Sequence, residues 1–201
     1  MANMSHISTN SPHAWILAAR PKTLTGAAVP VMIGISAAWA DGFFRPVPAL
    51  LCFLFAFLMQ IDANFINDYY DFRKGLDDEK RLGPKRACAE GWITLPAMRR
   101  GIICTTLLSC LTGLPLVWYG GWTMVLVGVC CVVFCFLYTT CMARLGLGDL
   151  LVLVFFGLVP VGATYYLQSG TVVPEVWALS LVCGLVIDCL LVVNNLSLIH
   201  I

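Results

Sequence analysis

Charge is what this sequence has least of. Only 11% of its 201 residues are Asp, Glu, Lys or Arg, against about 25% in an ordinary soluble domain. So little charge cannot clothe a globular surface, which excludes a soluble enzyme. A disordered chain needs the opposite bias and is excluded too. The net charge of +1 provides no polyanion-binding surface and argues against nucleic acid as a partner. There is no CxxC pair and no Cys/His cluster with zinc spacing. Nine of the ten cysteines lie inside apolar runs, with only Cys88 in a polar stretch. They read as small packing residues, not as a disulfide framework. No cleavable leader is expected from this stretch: Met1 to His13 is polar, and the first apolar run is too long and wrongly flanked.

What is abundant is apolar surface, 60% of the residues. That composition fits an all-α, polytopic membrane bundle. A spanning helix needs about 20 residues, so the length has room for six or seven spans. Six are legible: Leu24–Ala40, broken by Pro30; Pro48–Asp71; Met98–Trp118; Trp122–Cys141; Leu150–Leu167; and Val176–Asn194. The connections Asp41–Val47, Tyr119–Gly121 and Gln168–Glu175 are short, whereas Phe72–Ala97 is long. Basic residues set the orientation. Arg20, Lys22, Arg73, Lys74, Lys80, Arg81, Lys85, Arg86, Arg99, Arg100 and Arg144 fall on one side, and Arg45 alone falls on the other. The N-terminus and the long loop are therefore expected in the cytoplasm.

The second span begins as ordinary membrane sequence and then turns polar: Gln60, Asp62, Asn64, Asn67, Asp68 and Asp71. Polar groups are costly in lipid and face a bundle interior or a cavity. Residues three or four apart share a helix face, so Gln60, Asn64, Asn67/Asp68 and Asp71 form one stripe. An interhelical hydrogen-bond seam is the alternative reading. Two carboxylates one turn apart repel, and a cation resolves the repulsion. Magnesium binds through one or two carboxylates and keeps its other positions for water and phosphate. The following loop mixes Asp77, Asp78 and Glu79 with Lys80, Arg81, Lys85 and Arg86. Arginine forks match phosphate oxygens and lysine adds a point charge. Acidic metal ligands beside a basic loop at a membrane surface read as a diphosphate site.

Two acids stand apart. Asp62 is about 160–200° of helix rotation from its stripe neighbours, at roughly 100° per residue. Asp188 lies within the sixth span. Each should line a cavity, pair with a partner or be protonated; Asp62 suits pairing between helices and Asp188 suits the cavity.

At these residues the sequence resembles the UbiA superfamily of membrane prenyltransferases. Asn67-Asp-Tyr-Tyr-Asp71-Phe-Arg-Lys-Gly75-Leu-Asp77 is similar to its first aspartate-rich motif. Arg81-Leu-Gly-Pro-Lys-Arg86-Ala, followed by Gly91, resembles its menaquinone branch, whose acceptor is 1,4-dihydroxy-2-naphthoate. Trp15 with Ala19-Arg20-Pro21-Lys22-Thr23-Leu24, Gly146-Leu-Gly148-Asp149 with Phe155-Phe-Gly157, and Gly162-Ala-Thr164-Tyr165-Tyr166-Leu-Gln168-Ser-Gly170 resemble further family segments in order. The resemblance runs from Trp15 to Asn195.

It implies a bundle of about nine spans around a central cavity, in a bacterial cell (inner) membrane. The implied reaction joins a polyprenyl diphosphate to the naphthoate, with decarboxylation, giving demethylmenaquinone. Carried over by resemblance, Asn67, Asp68, Asp71 and Asp77 hold Mg2+, and Asp68, Asp71, Lys22 and Arg81 are catalytic. Asn64, Asn67, Lys22, Arg81, Lys85, Arg86, Asn194 and Asn195 contact the diphosphate. Tyr69 and Tyr70 are candidates to stabilise an allylic cation through their ring faces, and Asp149 and Arg144 are candidates in the loop after span four. No obligate protein partner is evident. The alternatives are another aromatic acceptor, such as 4-hydroxybenzoate, and, from other classes, a cation-coupled transporter or a structural membrane subunit.

One departure is large. The family's second acidic motif begins Asn-Asn and continues with Arg and Asp. Here Asn194-Asn195 is followed by Leu196-Ser-Leu-Ile-His-Ile201. Residues 1–195 are thus expected to be an incomplete prenyltransferase domain, and 196–201 a non-native tail. With half the carboxylate charge missing, the 201-residue polypeptide is expected to be inactive.

Overall fold

The computed structural model describes residues 7–75, 85–140 and 148–199, the last six by backbone alone. Every regular element among the described residues is helical: α1 (Pro12–Ala19), α2 (Pro21–Ala40), α3 (Pro46–Arg73), α4 (Leu95–Gly113), α5 (Leu116–Gly120), α6 (Thr123–Thr140), α7 (Gly148–Leu153), a π turn (Val154–Leu158), α8 (Val159–Ser169) and α9 (Pro174–Ile199). Four stretches are long and apolar enough to cross a membrane: Pro21–Ala40, Pro46–Arg73, Leu95–Gly120 and Gly148–Ser169. With α6 and α9 they account for the six expected spans of a membrane helix bundle.

The ends follow local chemistry. Pro12, Pro21, Pro46, Leu95-Pro96 and Pro174 open their helices, where a missing N–H costs nothing. The α1 helix was not among the expected spans. The Ser11 hydroxyl caps it by accepting from the Ala14 N–H at 3.3 Å. A single left-handed residue, Arg20 at φ 51°, then turns the chain into α2.

Proline acts differently at three places. Pro30 was expected to break the first span, but α2 runs unbroken through it. Only one backbone donor is lost, and the other hydrogen bonds of the twenty-residue helix carry it through. Pro115 does interrupt its span: α4 stops at Gly113 and α5 restarts at Leu116. Pro160 follows the π turn. It has no N–H to give the Phe156 carbonyl, and the Cys183 thiol of α9 donates to that oxygen instead, at 3.7 Å. A proline thus frees an acceptor that a neighbouring helix takes up.

The α3 helix is the hub, packing against α1, α2, α4, α6 and α8, and α9 packs mainly on the π turn and α7. Where α9 crosses the π turn the backbones nearly touch. A Cβ at Gly157 would meet the Ser180 carbonyl at 2.6 Å and the Gly184 Cα at 2.7 Å. Ser180 and Gly184 are four residues apart, the small-residue spacing that lets membrane helices approach closely. The end remote from the basic residues is tied separately. The Tyr165 hydroxyl donates to Asp41 at 2.6 Å, and the Arg45 N–H donates to Gln168 Oε1. Trp39, Trp118 and Trp122 project there, the last two 90% and 84% exposed, as interfacial tryptophans do.

The crossing gives a direct test. Gly157→Ala should force the helices apart and lower the melting temperature in detergent, with a cost of about 1–3 kcal/mol. Gly128→Ala, where nothing lies within 4 Å, should leave it unchanged or raise it slightly. Equal melting of the two variants would mean the crossing does not limit stability.

Candidate functional site

The last three turns of α3 carry the polar stripe, and its members part company in direction. Gln60 and Asn64 lie on one face. The Asn64 amide donates to the Ala19 carbonyl and to Thr23 Oγ1, both at 2.9 Å, and Gln60 reaches the same hydroxyl at 3.5 Å. Asn64 therefore fastens the α1–α2 elbow to α3. That elbow contains Arg20 and Lys22, and Lys22 is exposed to solvent. The diphosphate-contact expectation for Asn64 thus meets an amide group already engaged in holding backbone.

Asp62 points the opposite way, as its helical angle requires. It is fully buried, and its two oxygens accept from Thr105 and Thr106 of α4. The expected pairing between helices is present, with hydroxyls rather than a base as partners. Two adjacent threonines inside an apolar span were the available signal. Asp188 shares a face with Ser180 and Gly184 by four-residue spacing, and its Oδ1 is buried with no hydrogen-bond partner among the described residues.

Asp68 is also fully buried. Its Oδ2 accepts from the Ala87 N–H at 2.9 Å and its Oδ1 from the Cys88 N–H at 3.0 Å. One carboxylate thus satisfies two successive backbone donors and seats the returning loop against α3. Cys88, read from sequence as lying in a polar stretch, is consequently buried with Ala87, Ile93 and Met98. The same seating brings Arg86 back to Asp71, one turn further along α3, where the two form an ion pair at 2.8 Å. The Arg86 side chain is only 8% exposed and that of Asp71 20%. Lys85 turns outward and pairs with Glu90 at 2.8 Å, a partner the sequence reading missed.

The structure therefore brings Asp68, Asp71 and Arg86 together and binds Asn64 to the elbow beside Lys22. Asn67 lies on α3 between them, half-buried. Asp77 and Arg81 lie outside the described residues, as does Arg144. Asn194 and Asn195 fall on α9, described by backbone alone. Tyr69 and Tyr70 form an edge-on pair at 5.2 Å, with Arg73 over the Tyr69 ring.

The donor set fits a hard divalent cation in type but is partial in number. Carboxylates and amide oxygens suit such an ion, and each carboxylate oxygen has a second lone pair beyond the N–H bond it accepts. Among the described residues, however, no three His, Cys, Asp or Glu side chains gather around one point. This segment offers two carboxylates, and other donors would complete a shell.

If Asp68 seats the loop, removing it should unseat Cys88. Asp68→Ala leaves two buried N–H groups without acceptors, at about 1–3 kcal/mol each. With Cys88 as the sole cysteine, Asp68→Ala should speed its maleimide labelling several-fold, and Asp68→Asn should fall between. An unchanged labelling rate would show that the loop is held by other contacts.

Comparison with known proteins now bears on this geometry. The UbiA prenyltransferase family matches residues 27–199. A 1,4-dihydroxy-2-naphthoate octaprenyltransferase of Escherichia coli (strain K12) is 37% identical, covering 96% of this chain and 66% of that protein. The protein of the same name from Haemophilus influenzae is 35% identical over 90% of this chain and 63% of its own length. UbiA prenyltransferase domain-containing protein 1 of Danio rerio is 29% identical, over 84% and 52%. The chain spans just under two thirds of the length of the first two relatives. On the match to most of its length, the chain belongs to the UbiA prenyltransferase family.

Proposed function

We propose that this chain carries the donor-diphosphate half of a prenyltransferase site. The reaction we assign joins a polyprenyl diphosphate to 1,4-dihydroxy-2-naphthoate with loss of carbon dioxide, giving demethylmenaquinone and diphosphate. The observation that carries this reading is the Asp71–Arg86 pair beside the Asp68-seated loop, at the basic end of the hub helix. The names of the bacterial relatives support the acceptor. We place the site at the cytoplasmic face of a bacterial inner membrane, from the one-sided distribution of Lys and Arg.

In this reading Asn67, Asp68, Asp71 and Asp77 hold magnesium, which when bound offsets the negative charge growing on the leaving diphosphate. Arg86 is the residue whose geometry speaks most directly to the donor. It is already desolvated and oriented by Asp71, so an entering diphosphate meets a positioned guanidinium rather than a solvated one. Arg81, Lys22 and Lys85 add positive charge around it, and Lys85 must leave Glu90 to reach an anion. Asn64 acts on the donor indirectly, by holding the elbow that bears Lys22. Asn194 and Asn195, expected from the span topology at the same end of the bundle as Asp68, are assigned to the diphosphate as well.

Transport by an intramembrane acid has less support. Of the two intramembrane acids that favour it, Asp62 and Asp188, Asp62 has both oxygens satisfied by threonine hydroxyls.

Membranes carrying the chain test the proposal. A donor half binds its donor without turnover, so prenyl transfer to 1,4-dihydroxy-2-naphthoate by this chain would overturn the half-site reading while supporting the acceptor. Transfer to 4-hydroxybenzoate alone overturns the acceptor. Farnesyl diphosphate should bind in a magnesium-dependent way and lose at least tenfold in affinity in Arg86→Gln, because a charge-assisted contact contributes about 1.5–3 kcal/mol. Binding indifferent to both magnesium and Arg86 would remove the diphosphate assignment.

A further inference from the structure

A second basic site lies away from the Asp68–Arg86 contacts. Between α3, α4 and α6 runs a cleft of about 570 Å³, lined among others by Tyr69, Arg73, Arg99, Ile103, Leu107 and Phe136. Its composition changes along its length. Arg73 is the last residue of α3 and Arg99 is in the second turn of α4, so both cations sit at the loop-bearing end. Ile103 and Leu107 follow Arg99 at four-residue steps, one and two turns deeper into the bilayer. At 1.5 Å per residue the wall from Arg99 to Leu107 is about 12 Å long.

Among the described residues the two arginines have no acidic counterpart. The cleft is lined by no carboxylate, and among the described residues neither Arg73 nor Arg99 forms an ion pair. Arg73 is instead held over the Tyr69 ring, 5.7 Å from its centre, a contact that orients a guanidinium without adding a negative charge. The lower wall opens outward, with Ile103 51% and Leu107 58% exposed. An oriented cation pair above an apolar wall that opens to the bilayer matches one kind of molecule: an anion with a hydrocarbon tail.

We propose that this cleft binds an acidic phospholipid, its phosphate between Arg73 and Arg99 and an acyl chain along Ile103, Leu107 and Phe136. The bilayer is the source favoured over the prenyl donor because Ile103 and Leu107 of the lower wall are exposed on the outside of the described helices. Basic pockets between membrane helices at a charged leaflet bind anionic headgroups, with about 1 kcal/mol from each nearby arginine. The proposal rests on the orientation given under the proposed function, but not on the reaction.

The chain in phosphatidylcholine nanodiscs provides the test, with phosphatidylglycerol or farnesyl diphosphate as added probe and no acceptor present. Phosphatidylglycerol should raise the melting temperature by several degrees and be retained in native mass spectra. Arg73→Gln combined with Arg99→Gln should weaken its binding roughly thirty-fold, about fivefold for each arginine. Arg45→Gln, at the opposite end, should not. If the double variant fails to fold, Leu107→Trp serves, since it fills the apolar wall without touching charge and should reduce lipid retention. Equal retention of phosphatidylglycerol and phosphatidylcholine would overturn the proposal. So would a response to farnesyl diphosphate alone that disappears in the arginine variants, because the cleft would then belong to the donor. Loss of magnesium-dependent farnesyl diphosphate binding with lipid retention intact would count against the proposed function and leave the lipid site standing.

Discussion

The obligation to satisfy polar groups inside a hydrocarbon layer organises this bundle, and α3 is where it falls most heavily. Lipid offers no hydrogen bonds, so each buried amide or carboxylate must find its partner in protein. The partners are spread over different elements. Asp62 takes two hydroxyls from α4, Asn64 takes the α1–α2 elbow, Asp68 takes the loop backbone and Asp71 takes Arg86. Apolar contact between membrane helices discriminates poorly among orientations, because lipid tails are as apolar as leucine. The polar row supplies the missing discrimination: rotating α3 by one residue would mispair every one of these groups at once.

The same economy governs the helix interruptions. Pro160 frees the Phe156 carbonyl, and Cys183 of the adjoining helix takes it. The crossing of α9 over the π turn places Gly157 against Ser180 and Gly184, so that thiol and carbonyl come within reach. Close approach and backbone satisfaction are one device. It also fixes the part of α9 that leads toward Asn194 and Asn195, which are assigned to the donor.

Much of this was legible from residues alone, for a physical reason. Span positions follow from the length of apolar runs, and a membrane leaves no cheaper alternative for such runs. The split between Asp62 and the Gln60–Asn64 face followed from helical angle, and the structure places their partners on opposite sides. What was not legible depended on tertiary partners. Nothing local marks the Ala87 and Cys88 N–H groups as the ones Asp68 will accept, or Glu90 as the group that turns Lys85 outward. Helix α1 was missed because eight residues carry little periodic signal. Pro30 was over-read because a proline costs one bond, and a twenty-residue helix keeps the rest.

The two carboxylates of the aspartate motif therefore do different work in the free chain, although their spacing makes them look equivalent. Asp68 is fully buried and accepts two backbone N–H groups; Asp71 is partly exposed and holds a single cation. Their mutual repulsion is offset by N–H dipoles at one and a guanidinium at the other. The same contacts that seat the returning loop turn Arg86 inward. An arginine suits that position better than a lysine. Its planar fork can keep one edge on Asp71 while presenting another to phosphate oxygens, whereas an ammonium is a point charge that shifts from one anion to the other. The loop thereby holds its cation aimed at one end of the bundle, and the far end is tied separately by Tyr165 to Asp41 and by Gln168 to the Arg45 backbone.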